Sequence, residues 1–518
     1  MYLLGIDLGS TNLKVAAYNF KGKPVGQFSC DTPIHYADGA GRAYYNPNEL
    51  WKITCKGIKS VLSKLKDPGF ITSVAVASAG EALVPVDKKG GAIGEAFPWF
   101  DERTAELGQW WDKYFKEDEI YKITGASPHY KFSLNHLLWI KKNCPSVFDK
   151  ARIWMSLSDY ISYKLSGIAV MNYSIAGTTM MFDLKQHKWS ERILSSVGID
   201  IQTLPNLVPS GQALGSVCSK ARKETGLHSK TLVAAGGHDH ICGALACNVC
   251  KEGQVLDSTG TGKATIMVLN NALFNKKAIK SGFDQRCHVI RDKYYIAGSN
   301  PNGGAVIDWL AKEIGLYSGI EKYHNKSYIN RYSQLSKLAS TASPGCRGIF
   351  FIPKLRSSNI KEIMRAGFIG IRHFHQRKEL IRACFEGMGF EFRNIVDDIE
   401  SLTGINIHNI VAIGRCSRDK FFIQVEADIS GKIIEIPEAE EAVSLGAAVL
   451  GGISAGIYKD EKEAGCAVYR VKYVVKPDKD NTEFYDNLRL NIYSKLSSTL
   501  KDVNDKINSF FETNKSFN

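Results

Sequence analysis

The chain has 518 residues, with 66 lysines and arginines against 53 aspartates and glutamates, a net charge of +13. Hydrophobic residues at 44% and charged residues at 23% exclude a disordered or fibrous chain, and the length allows two large domains. No apolar run reaches the ~20 residues of a membrane span, and the first residues lack the basic and apolar blocks of a secretory signal, so neither a membrane nor export is expected.

The basic residues are spread along the chain and aromatics do not alternate with them, so nucleic acid is not expected as a partner. The excess reads as a lysine-rich surface that also attracts phosphorylated small molecules. Twelve cysteines are scattered. Neither Cys242, Cys247 and Cys250 nor Cys384 and Cys416 follow a zinc-ribbon spacing, and they read as reduced thiols of a cytoplasmic protein.

In chain order, strands are predicted at 2–8, 13–19 and 25–29, forming a meander. A helix follows from 47 to about 66, with Asn46 or Asn48 as cap and Pro47 in the first turn. The run 71–78 is a buried strand ending at Ala79-Gly80. Helices are predicted near 101–115, 133–143, 157–165 and 189–198. A strand at 231–235 runs into Gly236-Gly237-His238-Asp239-His240, and a small-residue helix occupies 241–250. From about Lys251 the opening logic repeats: strand 254–256, the turn Ser258-Thr259-Gly260-Thr261-Gly262, and strand 263–268. A helix starts at Gly303-Gly304, and another spans 377–402. Strand 409–414, helix 418–429, strand 432–436 and a Gly/Ala-rich helix at 442–456 follow. Beyond about 470 the Lys/Asp/Asn-rich residues read as a solvated helical tail.

Two turns carry most of the chemistry. Gly5-Ile6-Asp7-Leu8-Gly9-Ser10-Thr11-Asn12 is an apolar strand entering a turn of Gly and small hydroxyl residues. Such a turn offers N–H groups and hydroxyls to an anion, and Gly allows close approach. Asp7, at the strand end, can hold a metal ion through water. The same residues also favour an ordinary β-hairpin turn. Gly260, Thr261 and Gly262 form the second such turn, with Lys263 beside it either adding charge or lying on the surface. Asp239, at a strand end before a helix, is either a helix cap satisfied by backbone N–H groups or a general base. The sequence His238-Asp239-His240 does not suggest a transition metal, because adjacent strand residues point to opposite faces.

Together these landmarks resemble the FGGY carbohydrate kinase family, over about residues 2–458. Gly5 to Lys14 resembles its first phosphate motif. Gly80-Glu81 and Trp99-Phe100-Asp101-Glu102-Arg103 resemble its sugar-side segment, and Phe132 to Trp139 its first signature. Gly237-His238-Asp239-His240 resembles the segment with the catalytic aspartate, and Gly260-Thr261-Gly262 the second phosphate motif. Ala366 to Ile371 with Arg382 to Gly387 nearly matches the second signature, and Gly414-Arg415-Cys416-Ser417 occupies the adenosine motif. Three departures stand out: Arg415 and Cys416 replace glycines, His136 replaces a lysine, and the loop 354–366 lacks the usual proline and aspartate.

The resemblance implies an α/β fold of two actin-like (ribonuclease H-like) domains with an interdomain cleft. It divides the chain into a sugar-binding, catalytic domain at 1–250, a nucleotide-binding domain at 251–458 and a charged extension at 459–518. It implies an enzyme that transfers the γ-phosphate of ATP, with Mg²⁺, to a hydroxyl of a small carbohydrate. A ketose (xylulose-, fuculose- or rhamnulose-like) is favoured. A polyol or gluconate kinase, or a catalytically weak sugar and nucleotide sensor, are the alternatives. Asp239 is implied as the base; Gly80, Glu81, Trp99, Asp239 and His240 as sugar-binding; and Asp7 as the Mg²⁺ residue, through water. Ser10, Thr11, Asn12, Gly260, Thr261, Gly262, Gly303, Gly304, Gly414, Arg415 and Ser417 are implied for the nucleotide. The partners implied are the sugar and ATP, and the resemblance allows a homodimer, for which the sequence supplies no interface.

Overall fold

The structure, a computed structural model, describes residues 1–37, 41–67, 71–105, 107, 111–260, 262–315, 328–356 and 364–513. The chain packs into two units. The first holds 1–252, 268–296 and 438–470; the second holds 253–267, 297–437 and 471–518.

The first unit is built on a six-stranded sheet in the order Ala213–Ser216, Leu232–His238, Ile71–Ser78, Tyr2–Leu8, Asn12–Tyr18, Pro24–Asp31. The meander pairs antiparallel, whereas Tyr2–Leu8, Ile71–Ser78 and Leu232–His238 run parallel. These parallel strands are apolar almost throughout because both faces are covered. Leu4, Ile6, Val15, Val74, Val76 and Val233 are fully buried in one core. A second core, centred on Trp111, Phe132, Leu134, Trp154 and Phe182, fills the helical region that follows.

The helix Pro47–Leu62 starts as expected. The Asn46 side chain accepts from the N–H groups of Asn48 and Glu49, and Pro47 occupies the first turn. It stops short of 66, at Leu62, where Ser63 and Lys64 are exposed. Within the expected helix at 101–115, the described helix is Trp111–Tyr114, and residues 106 and 108–110 lie outside the described ones.

Two glycine contacts set the packing of the late helix Ala442–Ser454 in this unit. A Cβ on Gly5 would lie 1.8 Å from the Ser444 carbonyl oxygen, and one on Gly446 would lie 1.8 Å from that of Cys242. The strand Tyr2–Leu8 and the helix Asp239–Ala246 therefore meet this helix backbone to backbone, which any larger side chain would prevent. By packing, 438–470 belong with the first unit although the motif order places them late.

The second unit contains the strand order Lys263–Leu269, Val255–Thr259, Asn409–Ile413, Ile433–Pro437, Val471–Val475. Helices Arg377–Thr403 and Lys420–Ser430 pack together, Gly389 making room for Ile429. The tail is not simply solvated. Val471–Val475 pairs antiparallel with Ile433–Pro437, and Tyr485, from the helix Lys479–Leu488, is buried with its hydroxyl donating to Glu386 (2.7 Å). Arg382 Nε also donates to Glu386 (2.8 Å). The Arg382 to Gly387 motif thus serves a buried polar network.

Candidate active site

In the first unit the parallel register gathers the chemistry at one sheet end. Leu8 and His238 both pair with Ser78, on either side of the central strand. Asp7 and Asp239, one residue from these positions, therefore come from strands flanking the same end. The carboxyl end of parallel strands is where ligands bind in open α/β sheets.

Asp239 is the first residue of the helix Asp239–Ala246, two residues earlier than expected, and the cap position falls to His238. The carboxylate is therefore not a cap holding later N–H groups. It accepts the N–H of His240, its own neighbour (2.6 Å). His238 Nδ1 lies 3.1 Å from Oδ1 outside hydrogen-bond geometry, and His240 Nε2 lies at 3.9 Å. Burial, opposed by the Asp239 charge, pushes His238 down to about 4, so its ring is neutral at physiological pH. The Ser174 hydroxyl accepts the His238 N–H (3.0 Å) and pins the strand end.

The first turn closes with the Gly9 N–H donating to Asn12 O (3.1 Å), and Thr32 Oγ1 donates to Gly9 O (2.7 Å). Thr11 at its tip is exposed. Asn12 Nδ2 donates to Asp31, and the Trp99 indole N–H donates to Ser10 Oγ (3.1 Å), joining two residues expected to serve different substrates. Asp7 is buried, and its Oδ1 has no partner among the described residues. Burial, offset by Lys14 and reinforced by Asp239 and Glu441, pushes its carboxyl up to about 7. An orphaned carboxylate oxygen under this strain fits a hydrated divalent cation, which would restore its charge. Lys14, the last residue of the first phosphate motif, forms an ion pair with Glu441 (2.5 Å).

Glu81 sits at the centre of a three-residue turn, with φ of +70° and the Ala82 N–H donating to Gly80 O (2.9 Å). This γ-turn is rare for a non-glycine residue, and such strain persists where surrounding structure enforces it. Here the Thr178 hydroxyl accepts the Glu81 N–H (3.1 Å), and Ser133 Oγ donates to its carbonyl (2.6 Å). Gly80 is required as well, since a Cβ would lie 2.6 Å from Thr178 Oγ1. Burial raises the Glu81 carboxyl, against the pull of Arg286 and Lys131, with Asp284 and Asp239 adding to the rise.

The sequence reading missed Lys131, Asp284 and Arg286, which cluster beside Glu81. Arg286 Nη2 donates to Asp284 (2.7 Å), Nη1 lies 3.8 Å from Glu81, and Lys131 Nζ lies 3.5 Å from Asp284. Asp284 and Arg286 share a strand face at spacing two. No sequence signal marked them: Asp-Gln-Arg-Cys carries no apolar strand pattern, and only the fold buries Asp284–Cys287.

In the second unit, Gly260, Gly262, Gly303, Gly304 and Gly414 come together. The Gly304 N–H donates to Gly260 O (2.9 Å). A Cβ on Gly303 would lie 2.6 Å from the Gly262 carbonyl carbon, and one on Gly414, whose φ is +99°, 2.3 Å from Thr259 O. Ser417 Oγ donates to Gly414 O (2.8 Å), and Arg415 is exposed. Thr261 lies outside the described residues. Lys263 is neither a surface residue nor available to a phosphate. Its buried ammonium donates to Asp257 (2.7 Å), Glu426 (2.6 Å) and Thr259 (3.2 Å), which uses all three donors.

Residues 2–246 match the N-terminal domain, and 256–455 the C-terminal domain, of the FGGY family of carbohydrate kinases. The chain belongs to that family. A xylulose kinase of Bacillus subtilis (strain 168) is 26% identical over 98% of this chain and 99% of its own length, and a gluconokinase of the same strain is 26% identical over 97% and 96%. Among solved structures, ligand-bound xylulose kinase from Lactobacillus acidophilus superposes with a TM-score of 0.87 at 22% identity, covering 98% and 99% of the two chains. This FGGY kinase is a phosphotransferase that uses ATP with Mg²⁺ on a sugar acceptor, and its two sheet-based units have the family's actin-like α/β fold. No described helix is long and apolar enough to cross a membrane.

Proposed function

We propose that this enzyme phosphorylates a hydroxyl of a small uncharged carbohydrate, a ketose of the xylulose kind first, with Asp239 as general base. The observation that carries the reading is the state of the Asp239 carboxylate. It is fixed at a helix start by one neighbouring N–H and stands between two histidines. A hydroxyl is a poor nucleophile near neutral pH, and a carboxylate within hydrogen-bond reach takes its proton as the bond to phosphorus forms. His238, held neutral by burial, is not an imidazolium partner for Asp239.

In this reading Glu81, presented by Gly80, accepts hydrogen bonds from acceptor hydroxyls; His240 orients the acceptor, and Trp99 covers its carbons. Ser10, Thr11 and Asn12, with Gly260, Thr261 and Gly262, hold phosphates through backbone N–H groups and hydroxyls. Gly303, Gly304, Gly414, Arg415 and Ser417 border the nucleoside. Asp7 would hold Mg²⁺ through water, and the ion supplies neutralisation of phosphate charge. We keep 1–250 as the sugar-binding part, 251–458 as the nucleotide-binding part and 459–518 as an extension in the functional division of the sequence. No disulfide joins any of the twelve cysteines, which supports a cytoplasmic location; a homodimer remains our expectation from the family.

The second reading is an aldonate kinase, favoured by the similarity to gluconokinase. A coupled assay of ADP release over ketoses, aldonates and polyols decides between them. Saturable turnover on a ketose supports the first reading. Turnover confined to aldonates supports the second, and no acceptor-dependent ADP release defeats both.

A further inference from the structure

The cations beside Glu81 both face Asp284, although Arg286 Nε has no hydrogen-bond partner among the described residues. Arg286 is buried; one of its nitrogens donates to Asp284 and another faces Glu81. Lys131 approaches the same Asp284 oxygen. Both cations also flank the Phe132 ring, Lys131 Nζ at 5.1 Å and Arg286 Cζ at 5.5 Å from its centroid. Burial opposes the charge on Asp284, yet Lys131 and Arg286 overcome it and hold this carboxyl below the usual range. Asp284 is therefore ionised, and it serves two cations at once.

We infer that Asp284 sets the charge class of the acceptor: by occupying Lys131 and Arg286 it makes the site accept an uncharged ketose or polyol and reject an aldonate carboxylate. The inference rests on the reading of Glu81 and Asp239 as acceptor residues. Lys131, Arg286, Asp284 and Glu81 balance to zero when Glu81 is ionised, and Asp239 adds a negative charge beside them. An acceptor carboxylate entering there adds a further negative charge where water is largely excluded, and Coulomb repulsion in such surroundings is only partly screened. Asp284 and Lys131 are the partly exposed members of the group, with side chains 24% (Lys131) and 18% (Asp284) accessible, so an entering charge acts on them as well as on Glu81.

The test uses the full-length enzyme and its variants Asp284→Asn and Lys131→Gln, checked for folding by thermal melting. For each, KM is measured for the best uncharged acceptor, and gluconate is titrated as a competitive inhibitor against it. Relative to that KM, the gluconate inhibition constant should fall about tenfold or more in Asp284→Asn and rise in Lys131→Gln, the scale of a charge contact at this range. Should Asp284→Asn not fold, the wild type decides: a gluconate inhibition constant at or below KM for the uncharged acceptor overturns the inference. The inference is overturned if the ratio stays within about twofold of wild type in the folded variants. It is overturned also if the wild-type enzyme prefers gluconate while Asp239→Asn abolishes that turnover, which leaves the assignment of the base intact. Failure of the wild type to phosphorylate any acceptor instead defeats the proposed function itself.

Discussion

The ammonium of Lys263 lies 2.6 Å from Glu426 Oε1, with both side chains almost fully sealed from solvent. Lys263 opens the strand after the Gly260–Gly262 turn, Asp257 lies on the preceding strand and Glu426 on the helix Lys420–Ser430. One cation thus joins three elements behind a proposed phosphate turn. Removing one partner of a buried pair strands the other, at a cost of about 3–5 kcal/mol. Lys263→Met should lose that much in urea denaturation. Lys263→Met with Glu426→Met should recover part of it, because one of the two stranded carboxylates is gone and Asp257 keeps the hydroxyls of Thr259 and Thr265. Equal losses in the single and double variants would contradict the account.

Gly303 offers a sharper probe of the nucleotide side. Its missing Cβ would overlap the backbone of Gly262, so Gly303→Ala must displace the turn, at about 1–3 kcal/mol of strain. Steady-state kinetics should show KM for ATP raised about tenfold, the equivalent of 1.4 kcal/mol, with KM for the sugar little changed. A shift in sugar KM alone would remove Gly303 from the nucleotide site.

Asp239→Asn keeps the shape of the side chain and removes its basicity. The expected result is a fall in kcat of about 10² to 10⁴. Melting should shift by no more than the roughly 2–4 °C that 1 kcal/mol produces in a domain of this size. Retention of wild-type kcat would dismiss this carboxylate as the base.

His288 supplies a pH prediction with a definite sign. It is buried, its Nδ1 accepts the Ile290 N–H (3.1 Å), and burial, with Lys293 adding, pushes its pKa from 6.5 down to about 3. Below pH 6.5 the unfolded chain binds a proton that the folded state refuses, so stability falls from there towards pH 3. Asn can place an oxygen where Nδ1 sits. Between pH 7.5 and 5, His288→Asn should lose about 2 kcal/mol less than the wild type, at 1.36 kcal/mol per pKa unit. The variant comparison cancels the buried carboxylates Asp7 and Asp159, both raised to about 7, which act with the opposite sign.

Local signals made much of the fold readable. Asn46 and Pro47 announced a helix start, the run 71–78 a buried strand, and the two glycine-hydroxyl turns their hairpins. The motifs also led to residues that the fold does gather: Asp7, Glu81 and Asp239 in the first unit, and Gly260, Gly303 and Gly414 in the second. What stayed hidden depends on distance along the chain. Nothing near Lys14 in the sequence announces its partner, because Glu441 is 427 residues away. Lys263 looked like surface because lysine usually is; only the fold places two carboxylates beside it. The tail looked solvated because its polar residues outnumber the few, such as Tyr485, that it buries.

The fit of Gly5 and Gly446 against neighbouring backbones has a consequence for synthesis. The strand Tyr2–Leu8 is made early, yet the helix that covers it begins about 200 residues after Leu232–His238, the last strand of its sheet to be translated. At about 5–20 residues per second, the nascent sheet waits roughly 10–40 s with an uncovered apolar face. A polypeptide released at residue 252 lacks this cover, and its exposed apolar face is expected to drive aggregation.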